Sequence, residues 1–152
     1  MIEKNNFKVK NYRLVIADSS DSYVAAEVEI EGLKLPPPSK RITLHQSGLM
    51  IASAKILFER KKIAYEIEPQ RINHLKSFEQ VRLHTNEVLY PGPYKLKLDF
   101  SSRLPKSEYT KLAKLSPNEL RKLPLRKYFP AIDELEGKQA AEFEINYQDE
   151  AN

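Results

Sequence analysis

Alternation of apolar and polar residues along short segments is the feature that most constrains the fold of this 152-residue chain. In the segment 23–31, every second residue from Val24 to Ile30 is apolar, and glutamates occupy the opposite face. Side chains of a β-strand point alternately to its two faces, so this period predicts a strand with one buried and one wet face. Half-buried strands of this kind are typical of antiparallel sheets. The same alternation recurs at 63–67, 94–100 and 143–147.

Turn-forming residues separate these segments from four weaker predicted strands. Proline cannot donate to a strand ladder, so the proline run at 36–38 is predicted to lie outside the sheets. The clusters at 18–22 and 91–93 predict turns. Strands spaced about ten residues apart favour an all-β fold, an antiparallel two-sheet sandwich or saddle. The weaker strands are predicted at 12–17, 41–45, 49–58 and 80–84.

Alternation stops between residues 103 and 127, which we call the basic stretch. Residues 107–115 could form a short helix. Ser116 then offers an N-cap, Pro117 suits the first helical position, and Glu119 completes a capping-box pattern. Pro124 is expected to end that helix. The sequence therefore predicts a short helical insertion near 107–123 within a single β domain covering residues 1–152.

Composition excludes several classes of protein. The chain has no cysteine, so disulfides and thiolate metal sites are ruled out. Its start lacks an apolar core of signal-peptide length, and no segment approaches the roughly 20 apolar residues of a membrane span. The net charge of +4 is modest. These features predict a soluble, cytoplasmic protein with no membrane span.

The residues that carry common enzymatic chemistry are missing or scattered. A zinc peptidase needs an H-E-x-x-H helix, and none occurs here. No G-x-S-x-G elbow is present, and four scattered glycines cannot build a phosphate loop. His45, His74 and His84 lie in separate segments, which favours hydrogen-bonded or surface histidines over a shared metal site. The sequence predicts no catalytic residue, metal or cofactor.

The basic stretch carries eight basic and two acidic residues. A solvated basic face is the interpretation that we favour, and an anionic partner is the alternative. No RNA-binding motif is present, so nucleic acid is not a predicted partner. The basic residues are Arg103, Lys106, Lys111, Lys114, Arg121, Lys122, Arg126 and Lys127.

An acidic cluster follows the basic stretch. Asp133, Glu134 and Glu136 lie near Arg126 and Lys127 in the sequence. An ion-paired structural turn is the favoured interpretation, and a cation site or acid/base pair is the alternative.

The segment 125–143 carries a recognisable block. It resembles the A-R-R-x-F-P-C-x-D-E-P-x-x-K-A-x-F segment of the aminopeptidase N family of zinc metallopeptidases. Short upstream segments at 12–14, 28–30, 42–51 and 94–100 resemble that family's strands in the same order, so the likeness spans about residues 7–147. The matching residues of the block are Arg126, Phe129, Pro130, Asp133, Glu134, Lys138 and Phe143.

This resemblance implies a shortened version of the family's amino-terminal, saddle-like β domain, which packs on a separate zinc-bearing catalytic domain. The chain departs from the pattern at Ala131 and Leu135, where the family has cysteine and proline, and needs one extra residue before Phe143. The family's Q-x-E, whose glutamate binds the substrate's amino terminus, falls on Glu119 and Arg121. An arginine there would repel an ammonium group.

The leading hypothesis is a non-catalytic binding or scaffold domain. A shortened domain would leave a sheet edge or apolar face uncovered, and such features attract a protein partner or a second copy. One alternative is that the chain is part of a split or truncated zinc aminopeptidase whose catalytic subunit lies elsewhere. Another is anion or nucleic-acid binding through the basic stretch.

Overall fold

The computed structural model of the chain describes residues 7–132 and 142–147. The predicted all-β fold is confirmed, because the described residues form two sheets with only two short α-helices. The helices are α1 (Lys106–Ala113) and α2 (Pro117–Arg121), and 3-10 helices occupy Lys76–Phe78 and Leu125–Lys127. The strands are β1 (Phe7–Ser20), β2 (Tyr23–Lys34), β3 (Ser39–His45), β4 (Met50–Arg60), β5 (Ile63–Ile67), β6 (Arg71–Leu75), β7 (Gln80–Leu89), β8 (Gly92–Ser102) and β9 (Glu142–Tyr147).

Two sheets organise these strands. The larger has six strands in the order β5-β4-β8-β2-β1-β9, and the smaller has three in the order β3-β7-β6. Neighbouring strands are antiparallel except β1 and β9, which run parallel. Strands β5 and β9 therefore form the two edges of the six-stranded sheet.

The predicted strands all occur, most of them longer than predicted, and one strand was missed. Strand β1 runs on to Ser20, so the predicted turn at 18–22 is reduced to Asp21 and Ser22. Strand β6 was not predicted. It lies at an edge of the small sheet, and its residues are exposed or half-buried, so no apolar–polar alternation marks it.

One hydrophobic core joins the two sheets. The inward residues of β2 and β8 alternate with polar residues as the sequence predicts, and the inward residues of β3 and β7 belong to the same buried cluster. Burial of these aliphatic side chains supplies the main stabilisation of the fold. The fully buried members are Val24, Val28, Ile30, Ile42, Leu44, Val81, Leu83, Leu96 and Leu98.

The helical insertion also adds to this core. Tyr109 and Leu112 of α1 and Leu120 of α2 are buried, and both helices contact β9. The Tyr109 hydroxyl donates to the Tyr128 carbonyl oxygen at 2.7 Å. Burial raises the pKa of Tyr109 to about 12. The predicted insertion is therefore part of the packed fold. No helix in the described part of the chain is long and apolar enough to cross a membrane.

The start of α2 allows a first prediction. The Ser116 Oγ accepts from the Glu119 N–H at 3.3 Å, and a Glu119 carboxylate oxygen accepts from the Ser116 N–H at 3.1 Å. Replacing Ser116 with alanine removes one of these bonds and is expected to lower the free energy of unfolding by about 1 kcal/mol. Urea denaturation measures this change in the free energy of unfolding. The exposed Ser77 is the matched control, and an equal loss in Ser77→Ala would contradict the capping role.

Candidate docking surface

The block at 125–132 lies inside the fold. The Phe129 side chain is 1% exposed, and its ring centroid lies 5.4 Å from that of Tyr12. Ala131 bridges to the end of β3 through two backbone hydrogen bonds with His45, of 2.7 and 3.0 Å. The Tyr12 hydroxyl accepts from the Ile132 N–H at 2.9 Å. These contacts give the described part of the block a packing role.

Arg126 and Pro130 are two further described members of the block. The Arg126 guanidinium approaches a Glu79 carboxylate oxygen at 3.5 Å, and its carbonyl oxygen accepts from the Ser47 N–H at 2.8 Å. Pro130 is buried. Asp133, Glu134, Glu136 and Lys138 lie outside the described residues, so the acidic-cluster hypothesis stays a prediction.

Glu119 and Arg121, on which the family's Q-x-E is predicted to fall by spacing, make contacts within α2. The Glu119 carboxylate caps the helix, and the hydrogen bonds to Ser116 lower its pKa. Arg121 donates from Nη1 to the Asn118 Oδ1 at 3.0 Å.

The basic stretch is spread over the end of β8, α1, α2 and the second 3-10 helix. Lys111 lies 3.7 Å from the Glu108 carboxylate, a contact within one helical turn. Arg103 lines a cavity of about 690 Å³ together with His74 and Lys76. The anion-binding hypothesis stays a prediction. Arg103, Lys106, Lys111, Lys114, Lys122 and Lys127 are exposed, and Arg121 is half-buried.

The three histidines lie in different strands: His45 in β3, His74 in the unpredicted β6 and His84 in β7. Within residues 7–132 and 142–147, no group of three or more His, Asp or Glu side chains is placed to hold a metal ion. The His74 Nε2 accepts from the Ile51 N–H of β4 at 3.1 Å, which ties the small sheet to the large one.

The His74 contact leads to a pH-dependent prediction. Burial, with a smaller effect of Lys76, lowers the pKa of His74 below its ordinary value of 6.5. The unfolded chain therefore binds a proton first, and the stability contributed by neutral His74 is full above about pH 6.5 and is lost as the pH falls through its lowered pKa. His74→Gln keeps an acceptor and cannot titrate. Urea midpoints over this range should fall less for His74→Gln than for the native chain, and parallel curves would contradict the prediction.

An aromatic shelf occupies the far end of the β4–β5 hairpin. Lys61 and Lys62 adopt left-handed backbone conformations, with φ of 54° and 65°, as a two-residue hairpin turn requires. This turn places Phe58 opposite Tyr65. We define the aromatic shelf as Phe58, Ile63, Tyr65, Tyr90 and Tyr94.

Ring contacts hold the aromatic shelf together. The Phe58 and Tyr65 rings are stacked with centroids 5.2 Å apart, and the Tyr94 ring lies 5.4 Å from Phe58. The Arg60 guanidinium lies 5.6 Å from the Phe58 centroid and 5.8 Å from that of Tyr90. These contacts fix the positions of the rings relative to one another.

The aromatic shelf is open to solvent. Ile63, Tyr65 and Tyr90 are 56%, 42% and 53% exposed. The sequence predicted a buried apolar face for residues 63–67, and this was wrong for Ile63 and Tyr65. Ile67 pairs with the buried Ile56 and is itself buried, whereas Ile63 pairs with exposed Arg60 beside the turn. The apolar face of the hairpin therefore extends past the buried core and is exposed near the turn.

The outer side of β5 adds an unpaired strand edge to this apolar face. Strand β5 is hydrogen-bonded only to β4 among the described strands, so one row of its backbone groups faces outward. Open edges and contiguous exposed apolar patches are the features through which β proteins pair with other chains. The geometry defines an all-β domain with a candidate docking surface at one end of its larger sheet.

Comparison with solved structures supports the fold. No protein-family model matches the chain, and no curated protein matches it in sequence. The solved M1 zinc metallopeptidase from Deinococcus radiodurans is similar in fold, with a TM-score of 0.54 at 17% identity over 86% of this chain and 30% of that one. A mutant of that enzyme gives a TM-score of 0.53 at 16% identity over 84% and 29%. The chain thus spans less than a third of these peptidases, and the likeness is one of fold.

Proposed function

We propose that this chain is a non-catalytic docking domain that resembles the amino-terminal β domain of zinc aminopeptidases and binds another protein through the aromatic shelf and the β5 edge. The exposure of Tyr65 and Ile63 on an open edge strand is the observation that carries this proposal. The fold likeness to M1 zinc metallopeptidases, much longer chains, supports a role beside a larger protein.

Charge around the aromatic shelf suggests the chemistry of the partner. Arg60, Lys61 and Lys62 are exposed at the hairpin turn. A protein surface with an apolar centre and an acidic rim complements this arrangement, since interfaces combine a desolvated core with a charged rim. Tyrosine and arginine are also the residues that most often dominate binding energy.

The matched pair Tyr65→Lys and Tyr23→Lys tests this proposal. Both tyrosines are equally exposed, at 42% and 41%, but Tyr23 begins β2 and is not part of the aromatic shelf. In a pull-down from the source cell, the native chain and Tyr23→Lys should retain the same proteins. Tyr65→Lys should fail to retain them. For a purified partner, Tyr65→Lys is expected to raise the Kd about 30-fold or more. Equal retention by both variants would contradict the proposal.

Two further measurements identify the kind of partner. Light scattering of the purified chain separates self-association from binding to a different protein. If the partner is a second copy, the measured mass should be lower for Tyr65→Lys than for the native chain. Sequencing the captured protein tests the split-enzyme alternative, because that alternative requires an H-E-x-x-H zinc motif in the partner.

Catalysis by this chain is the outcome that the proposal excludes. The purified chain with added zinc should not hydrolyse aminoacyl substrates. Hydrolysis that survives purification to constant specific activity would refute the non-catalytic assignment, whereas activity that appears only with the captured partner would favour the split enzyme.

A further inference from the structure

A row of basic side chains crosses the small sheet. His84 of β7 lies directly opposite Arg41 of β3 on one side and Arg71 of β6 on the other. Neighbouring Leu83 is fully buried, so alternation places His84 on the opposite, outer face of the sheet. Arg82, two residues before His84, shares that face.

Basic residues outnumber acidic ones along the three strands of the small sheet. Strands β3 and β6 contain no acidic residue, and Glu87 is the one acidic residue of β7. Like charges directly opposite each other in a sheet are destabilising. This row gives the outer face of the small sheet a positive potential that attracts anions.

The His84 ring has an atom that lacks a protein partner in the described part of the chain. Among the described residues, the His84 Nε2 is buried and has no hydrogen-bond partner. A buried polar atom of this kind calls for an explanation, and an ion or water that completes its hydrogen bonding is one of the recognised causes. The Gln70 N–H donates to the His84 carbonyl oxygen at 2.7 Å, which fixes the backbone at this position.

His84 also lines a hollow of about 510 Å³. Its lining presents several hydrogen-bond donors and no carboxylate. The guanidinium of an arginine binds oxyanions through two parallel hydrogen bonds, and a lysine adds a point charge. The lining residues are Lys40, Gln70, Arg71, His84 and Thr85.

We propose that this hollow binds a phosphate group, with Arg71 and Lys40 supplying charge and the His84 ring lying in its wall. Arg41 and Arg82, on the same face, add to the positive potential that attracts the anion. This site is separate from the docking surface and does not depend on it.

The pKa of His84 offers a direct measure of phosphate binding. Burial is the largest cause that lowers the pKa of His84, followed by Arg71, Arg41 and Arg82. A bound dianion would oppose the arginine charges and stabilise the imidazolium, so phosphate should raise the pKa of His84.

The experiment is a titration of the native chain with inorganic phosphate at constant ionic strength, followed by the NMR signal of the His84 ring. A saturable shift and a raised His84 pKa are expected. Arg71→Gln should weaken binding about 10-fold or more. Lys8→Gln, which removes an exposed charge from β1, should leave it unchanged.

Three outcomes would overturn the assignment. Chloride could shift the His84 signal as strongly as phosphate does. Lys8→Gln could weaken binding as much as Arg71→Gln, which would indicate attraction by net charge alone. Acetate could bind as tightly as phosphate, which would make the site one for carboxylates. Circular dichroism confirms that each variant folds.

Discussion

Tyr12→Ala is expected to lower the free energy of unfolding by about 3–5 kcal/mol, the largest loss among the changes considered for this chain. Tyr12 is 1% exposed, and its ring lies 5.4 Å from both Phe129 and Phe143. Through these contacts it joins β1 to the block at 125–132 and to β9. Truncation leaves a cavity at this junction and removes the hydroxyl that accepts from the Ile132 N–H.

Tyr12→Phe separates the two contributions of this side chain. It keeps the ring and removes the hydroxyl, so the Ile132 N–H loses its acceptor. We expect a loss of about 1–3 kcal/mol, which is the cost of an unsatisfied buried donor. Urea denaturation of the three proteins measures both values. Equal losses for Tyr12→Ala and Tyr12→Phe would show that ring packing contributes nothing, against the structure.

Gly32→Ala is the second change with a large expected effect, a loss of about 3 kcal/mol. Gly32 lies where the backbone of β2 closely approaches the neighbouring strand β1. A Cβ at this position would lie 2.7 Å from the Phe7 ring, and it would also collide with the Lys8 carbonyl oxygen. Backbone cannot move aside as a flexible side chain does, so the strand pair must separate locally.

Gly48→Ala is the matched comparison. Gly48 has a φ of 69°, and a Cβ there would meet nothing within 4 Å. Its substitution costs only the strain of a left-handed backbone, about 1 kcal/mol. Urea midpoints should therefore fall further for Gly32→Ala than for Gly48→Ala. The reverse order would show that close strand contact at Gly32 is not what requires glycine there.

Much of the secondary structure could be predicted because its signals are local. The alternation at 23–31 and 94–100 lies within β2 and β8, and the Ser116-Pro117 signature marks the start of α2. Strand β6 could not be predicted in this way. Its pairing with β7 holds it in the sheet, while its half-buried residues leave no alternating pattern.

The two candidate surfaces were less accessible to sequence reasoning. Alternation at 63–67 indicates an apolar face but carries no information on whether another layer covers it. The sequence suggested that an edge or face would be open, and the structure locates one at Tyr65. The row through His84 gave no sequence signal, since its arginines come from segments far apart along the chain.

Residue type and spacing alone determined that this chain forms half-buried strands, that its helices begin near 107 and 116, and that a zinc-peptidase motif is absent from it. Tertiary structure decided which apolar face stays open at Tyr65 and which basic residues meet at His84. The physical reason is the sequence separation of the residues that interact. A strand's period depends on adjacent residues, whereas coverage and cross-strand register depend on contacts between distant segments.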